Sequence, residues 1–326
     1  MKIPIALNID DPAPVISVYH AHADTALTKD GRALAATYSN ELLFRFCDII
    51  EKHGMKGKFS VVPMPANKGD IIHGIEGVPQ KDVNAWLDAV TSRVAPRFSI
   101  CPEILSHHMA VDLSTGKALE VNEKIWSRSQ DKTTLTPYIA LALSLLQQAG
   151  LHPSGVTSPW NFGITVEEEY VASIAQAVFD VTGKEQSWYF LHSLRNQSNA
   201  RPWVAYDEGG KSVVSIPATT TDHIWQTIDT ADTSEELVLS IADKLITADG
   251  RDGEIVRVIE GNGYPIVTTH WQSLMSNGLG TGLRILEKVA ARVNKFLGDI
   301  VEWMSFEQIL QLVLADKAAY PKPPLP

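Results

Sequence analysis

Short apolar runs alternate with amphipathic stretches along the whole chain, and this limits the possible folds more than any other feature of the sequence. The runs fall at 3–9, 57–62, 98–103, 155–158, 188–192, 213–217, 266–270 and 301–305, and several lack polar alternation. Strands of that composition need cover on both faces, which a parallel sheet flanked by helices provides. The helical patterns between them have legible ends. Ser39 or Asn40 is placed to cap a helix whose apolar face is Leu42, Leu43, Phe46, Ile49 and Ile50, with Gly54 as its stop. Thr136-Pro137 marks the start of another that Gly150 ends. Thr165 with Glu168 and Thr233 with Glu236 have capping-box spacing, and Gly183 and Gly250 sit where left-handed caps belong. Repeated strand–helix units with few hairpin signals predict an α/β fold with parallel strands. Seven or eight such units favour a closed or nearly closed (β/α) barrel over an open sheet. With no internal repeat and no linker, residues 1–326 read as one domain with a Pro-rich, non-helical tail at 319–326.

Apolar residues make up 44% of the 326, enough for a sizeable core. Lys and Arg number 28 against 38 Asp and Glu, a net charge of −10 with no long block of one sign. That balance repels phosphate backbones and argues against a nucleic-acid partner. No segment approaches the length of a membrane span, and Asn8, Asp10 and Asp11 arrive before an apolar stretch of signal-peptide length can form, so a cytoplasmic protein is expected. Cys47 and Cys101 fall in helix-like and strand-like patterns, where a free thiol packs as a small hydrophobe.

In parallel α/β folds the loops at the carboxyl ends of the strands build the site. Asn8-Ile9-Asp10-Asp11-Pro12 ends the first run, Glu103 and Ser106-His107-His108 follow the third, Ser158-Pro159-Trp160-Asn161 the fourth, and Thr268-Thr269-His270-Trp271 the seventh. Carboxylates and imidazoles thus gather at one rim. Just past a strand, one of Asp10 and Asp11 can point into the mouth while the other turns aside or caps the turn before Pro12 and Pro14. A divalent metal beside them would offset their repulsion and lower the pKa of a bound water. Imidazole is a ligand for such metals, and of the adjacent His107 and His108 one can ligate. His270 is placed to give a proton to a leaving amine. His20 and His22, two apart and shortly after the aspartates, can supply a further ligand, contact substrate or lie in a solvated loop. Gly278-Leu279-Gly280-Thr281-Gly282 precedes a helix without dinucleotide or Walker spacing, and no Gly-x-Ser-x-Gly elbow is present.

Taken in order, these strand ends resemble the motifs of the polysaccharide deacetylase superfamily, carbohydrate esterase family 4 and its distant relatives. Asn8-Ile9-Asp10-Asp11 is similar to the family's Thr-Phe-Asp-Asp, which implies general base for Asp10 and metal ligand for Asp11. Glu103-Ile104-Leu105-Ser106-His107 matches the first half of the His-x-x-x-His ligand motif, but Val111 stands where its second histidine belongs. His108, Asp112, His20 or His22 can take that place, or the metal is lost. Thr157-Ser158-Pro159-Trp160 keeps the proline and aromatic of Arg-x-Pro-aromatic, with Thr157 in place of the arginine that steadies the base. Thr268-Thr269-His270 corresponds to Leu-x-His, and Gly57-Lys58-Phe59-Ser60-Val61 looks like the family's second strand. The resemblance implies a deformed barrel of about seven strands.

The expected activity is therefore metal-dependent removal of an acyl group from an amide on a sugar-like or small substrate. Asp11 with His107 or His108 would hold the ion, expected to be zinc from its mixed ligands. Asp10 and His270 would serve as base and acid, with Trp160 and Trp271 as platforms for a sugar ring. Two other readings compete. A metal-free glycoside hydrolase would pair Asp10 or Asp11 with Glu103, and a non-catalytic carbohydrate-binding relative would have kept only the fold.

Overall fold

The computed structural model describes residues 2–325. Eight strands carry the architecture: β1 (Ile3–Asp10), β2 (Gly57–Val61), β3 (Phe98–Pro102), β4 (Gly155–Thr157), β5 (Gln186–Phe190), β6 (Lys211–Ser215), β7 (Ile266–His270) and β8 (Val301–Trp303). Every pairing among them is parallel. One sheet runs β7-β1-β2-β3, with β8 paired to the first residues of β1. The second runs β4-β5-β6 and ends on Trp203–Glu208, antiparallel to β6.

Of the closed or nearly closed barrel expected, the parallel α/β architecture is present; the strands lie in two sheets, and no ladder among the described residues closes the ring. Between β3 and β4 the seam is a single bridge, Glu103 to Thr157. On the other side Trp203–Glu208 occupies the edge of β6 that would face β7. Past that hairpin, threonine hydroxyls take the place of ladder bonds. Thr219 Oγ1 accepts from the Ile266 N–H at 2.8 Å, and Thr220 Oγ1 from the Thr268 N–H at 3.1 Å. Buried backbone donors must find partners, and side chains here supply what the missing strand pairing does not.

The longer helices are α1 (Asn40–His53), α2 (Gln80–Ala89), α3 (Lys132–Gln148), α4 (Glu167–Thr182), α5 (Glu235–Leu245), α6 (Thr281–Leu297) and α7 (Phe306–Ala315). Ser39 caps α1, whose apolar stripe is buried, and Gly54 ends it at φ +64°. Other boundaries differ from expectation. The Asp131 side chain caps α3, which encloses Pro137 instead of starting at it, and Ser234 rather than Thr233 caps α5. Thr165 does not cap α4; its hydroxyl donates to the Arg128 carbonyl. Gly250 closes a turn onto Thr247, past the end of α5. A capping box of Ser305 and Gln308 opens α7. Cys47 and Cys101 are buried free thiols. Lys317–Ala319 forms a 3-10 turn, so the tail starts helically before its irregular stretch; Pro326 lies outside the described residues. Among those residues no helix is long and apolar enough to cross a membrane.

Two registers place the site. Asn8 pairs with Lys58 and Thr268, and two residues further on Asp10 pairs with His270, so polar residues of three strands are stacked in two successive layers beneath and at the carboxyl end of β1. Gly57 makes this possible: a Cβ there would lie 1.8 Å from the Leu7 carbonyl oxygen, so no larger residue lets β2 lie this close to β1.

Candidate active site

β1 ends on Asp10, and Asp11 then enters the left-handed region at φ +69°. That turn sends the adjacent carboxylates to different partners. Asp10 meets the ammonium of Lys58, which is fully buried and also donates to Thr157 Oγ1 at 2.7 Å and Ser60 Oγ at 3.2 Å. Burial opposes the charge on Lys58, but the Asp10 carboxylate, its hydrogen bond and the nearby Cys101 and Glu103 together hold the pKa above the ordinary lysine value. Asn8 Nδ2 adds a contact to Asp10 Oδ2 at 3.3 Å. Asp10 is thereby fixed as an oriented carboxylate. Thr157 touches the very ammonium that supplies the positive charge it lacks.

Glu123 shapes the loop after β3. Its buried carboxylate accepts the N–H groups of Leu105 (3.2 Å), Ser106 (2.9 Å) and His107 (2.8 Å), and the Tyr138 hydroxyl at 2.8 Å. Ile104 and His107 sit at φ +35° and +51°, conformations costly for residues with a Cβ, which this set of bonds offsets. The result brings His107 Nε2 to 2.8 Å from Asp11 Oδ1 and 3.6 Å from Glu103 Oε1. Glu103 is steadied through its other oxygen, which accepts from Ser60 Oγ (2.6 Å) and the Asp11 N–H (2.5 Å). Gln272 Nε2 donates to Asp11 Oδ2.

Asp11, Glu103 and His107 therefore converge as a buried group able to hold a metal ion. Two observations favour such an ion over a simple ion pair. Asp11 Oδ1 is buried without a hydrogen-bond donor aligned to it, although His107 Nε2 lies 2.8 Å away. The donor spacings of 2.8 and 3.6 Å also bracket the roughly 3.0–3.4 Å edge of a ligand shell built on bonds of ~2.1 Å. Electrostatics agree. Burial and the charges of Asp11 and Asp10 push the Glu103 pKa up, while Asp11, against burial, pulls that of His107 up. Burial raises and His107 lowers the pKa of Asp11, and the lowering wins. A divalent cation would relieve the crowding of two carboxylates.

His270 lines the same cavity, of about 430 Å³, and its side chain is 31% exposed. Its Nδ1 lies 2.8 Å from Asp222 Oδ2, which also accepts from its backbone N–H and from Ser273 Oγ. Burial works against the imidazolium, but the Asp222 bond and the Asp11 and Asp222 charges push its pKa up to about 10. The ring is thus protonated at neutral pH with Nε2 left to donate. Trp160, at φ +47°, packs edge-on against His107 and His22, with ring centroids 4.2 and 4.6 Å away. His22 stacks on His107 at 5.0 Å, and burial and the His107 charge lower its pKa to about 4, so it is neutral.

Of the residues singled out in the sequence, Asp10, Asp11, His22, His107, Trp160 and His270 meet at this cavity. Three do not. His108 turns to Asn67, its Nδ1 3.1 Å from Oδ1, because the Glu123 bonds orient His107 inward and leave its neighbour facing away. His20 is not among the lining residues. Trp271 is buried 5.7 and 5.6 Å from the rings of Phe46 and Phe59 and belongs to the core. Val111 is buried in an apolar cluster with Leu135 and Tyr138, and Asp112 caps a turn at Ser114. Sequence reasoning missed Lys58, Asp222, Gln272, Glu123 and the place of Glu103 among the candidate ligands. Two signals were available: a lysine inside an apolar strand, and a glutamate four residues before His107.

No family model matches the sequence, and no curated protein does. Among solved structures, a candidate polysaccharide deacetylase from Mycobacterium smegmatis superposes with a TM-score of 0.52 at 14% identity, over 87% of this chain and 81% of the other. The fold is of the polysaccharide deacetylase type. A 4-alpha-glucanotransferase from Thermococcus litoralis gives 0.47 at 13% identity, over 95% of this chain and 40% of its own. A mutant CE4 family pseudoenzyme with restored enzymatic activity gives 0.43 at 10%, over 95% and 68%.

Proposed function

We propose that this chain is a metal-dependent hydrolase that removes an acetyl or related acyl group from the nitrogen of a sugar-like or small amide substrate. The observation that carries the reading is the convergence of Asp11, Glu103 and His107 in one buried group beside a carboxylate already held by Lys58. Two oxygens and one imidazole nitrogen suit a first-row divalent ion, and zinc is the proposed one. When bound, such an ion supplies Lewis-acid polarisation of an acyl oxygen and eases the ionisation of water.

The protein's own groups do the rest. Asp10, oriented by Lys58 and Asn8, takes a proton from the attacking water. His270, charged and aimed by Asp222, returns a proton to the departing amine through Nε2. Trp160 offers an aromatic face at the mouth and shields His107 from solvent. A metal-free glycosidase would need Asp10 and Glu103 free to face a sugar bond. Glu103 is instead 2% exposed and gathered with Asp11 and His107 in one group, which weighs against that reading.

The test is hydrolysis of N-acetylated amino sugars by the metal-supplemented protein and by Asp10→Asn. The variant is expected to keep wild-type metal content and lose at least ~100-fold in turnover. Equal turnover in the two proteins would remove Asp10 from the chemistry.

A further inference from the structure

The cavity walls carry four carboxylates, and each already has a positive neighbour. Asp10 contacts Lys58, Asp11 lies 2.8 Å from His107, Asp222 lies 2.8 Å from His270, and Glu103 is 3.6 Å from His107. Arg195 is the one lysine or arginine among the lining residues, and it forms no ion pair with a carboxylate among the described residues. In a chain of net charge −10, a cation left over at the mouth of the cavity is matched by nothing on the wall around it.

The segment that carries Arg195 is anchored. Ser193 bridges Ala218, the Leu194 N–H donates to the Ala218 carbonyl at 2.7 Å, and the Gln197 N–H closes a turn onto Leu194 at 2.9 Å. Leu194 is buried with Ala200 and Trp203, and His192 is tied to Glu167 at 2.6 Å. Arg195 is exposed, and the backbone that carries it is held on both sides, so no loop has to be ordered when the side chain grips a ligand. A guanidinium matches carboxylate and phosphate oxygens with paired hydrogen bonds. A cavity of about 430 Å³ has room for a ligand the size of one sugar.

We propose that Arg195 reads an anionic substituent on the substrate, so that the preferred amide is an N-acylated, sugar-sized molecule bearing a carboxylate or phosphate. This rests on the hydrolase reading for the identity of the amide but not for the recognition of the anion. The experiment is calorimetric titration of the full chain, wild type, Arg195→Ala and Arg195→Lys, with three probes: N-acetylglucosamine, its 6-phosphate, and N-acetylmuramic acid. At least one anionic probe should bind about tenfold more tightly than the neutral sugar. That margin should fall to within about twofold in Arg195→Ala and be partly kept in Arg195→Lys. Which anion gains tells phosphate from carboxylate. No margin for either anion in the wild type, or a margin that survives Arg195→Ala, overturns the proposal. His107→Ala separates the two claims: a margin kept there after the metal is lost supports Arg195, and a margin lost with the metal assigns the anion to the ion and overturns the proposal. Metal retained in His107→Ala counts against the hydrolase reading while leaving Arg195 to be judged by its own margin.

Discussion

The two sheets treat charge in opposite ways where their strands end. After β1 and β3 the first sheet buries Asp10, Asp11, Glu103 and His107, none more than 4% exposed, with Lys58 beneath them at 0%. After β4 and β5 the second presents a half-buried Trp160 and exposed Asn161, Ser193 and Arg195. Buried charges depend on one another, because removing one partner strands the other without water. Exposed groups do not, and can change with little cost to the fold. On the proposed reading, one half of the cavity does the chemistry and is brittle; the other does the recognition and is free to vary.

Lys58→Met is the strongest attempt to break that contrast. It leaves Asp10 buried and unpaired, so urea unfolding should show a loss of about 3–5 kcal/mol, and turnover should fall at least ~100-fold. A variant as stable as wild type would mean that the first sheet tolerates unpaired charge after all. Glu123→Gln comes next. It weakens three backbone bonds that hold the loop of His107, and metal affinity measured by competition with a chelator should drop roughly 10–100-fold.

Asp222→Asn sharpens the account of the acid. The carboxylate raises the pKa of His270, so the protonated ring is present below its folded value of about 10 and lost as pH rises through it. Without that carboxylate the pKa falls toward the ordinary value of about 6.5. The alkaline limb of the pH–rate profile should move to lower pH by roughly a unit or more. A limb that stays in place, or moves upward, would remove His270 as the acid. Trp160→Ala tests the second sheet, with the smallest effect on the fold: KM should rise up to ~10-fold while kcat and stability change little.

The alternation of apolar runs and helical stripes made parallel α/β structure legible, because strands covered on both faces must be apolar throughout. Closure was harder to read. It depends on Trp203–Glu208 taking an edge of β6, and the signal for that hairpin, Gly209-Gly210 between two apolar runs, was there but passed over. Within the site, strand ends were easy to read and partners were not. Lys58 reaches Asp10 across 48 residues, and Asp222 reaches His270 across 48 more, distances over which no local pattern carries information. Choosing between His107 and His108 required the orientation that Glu123 imposes. The sequence resemblance assigned Thr157 a lost function; the structure supplies the missing positive charge from the neighbouring sheet.

Titration of the metal-stripped chain with zinc tests the central claim most directly. Wild type and His108→Ala should each bind about one equivalent, and Asp11→Ala, Glu103→Ala and His107→Ala should each lose at least ~100-fold in affinity. Undiminished binding in His107→Ala, or none in the wild type, would contradict the account.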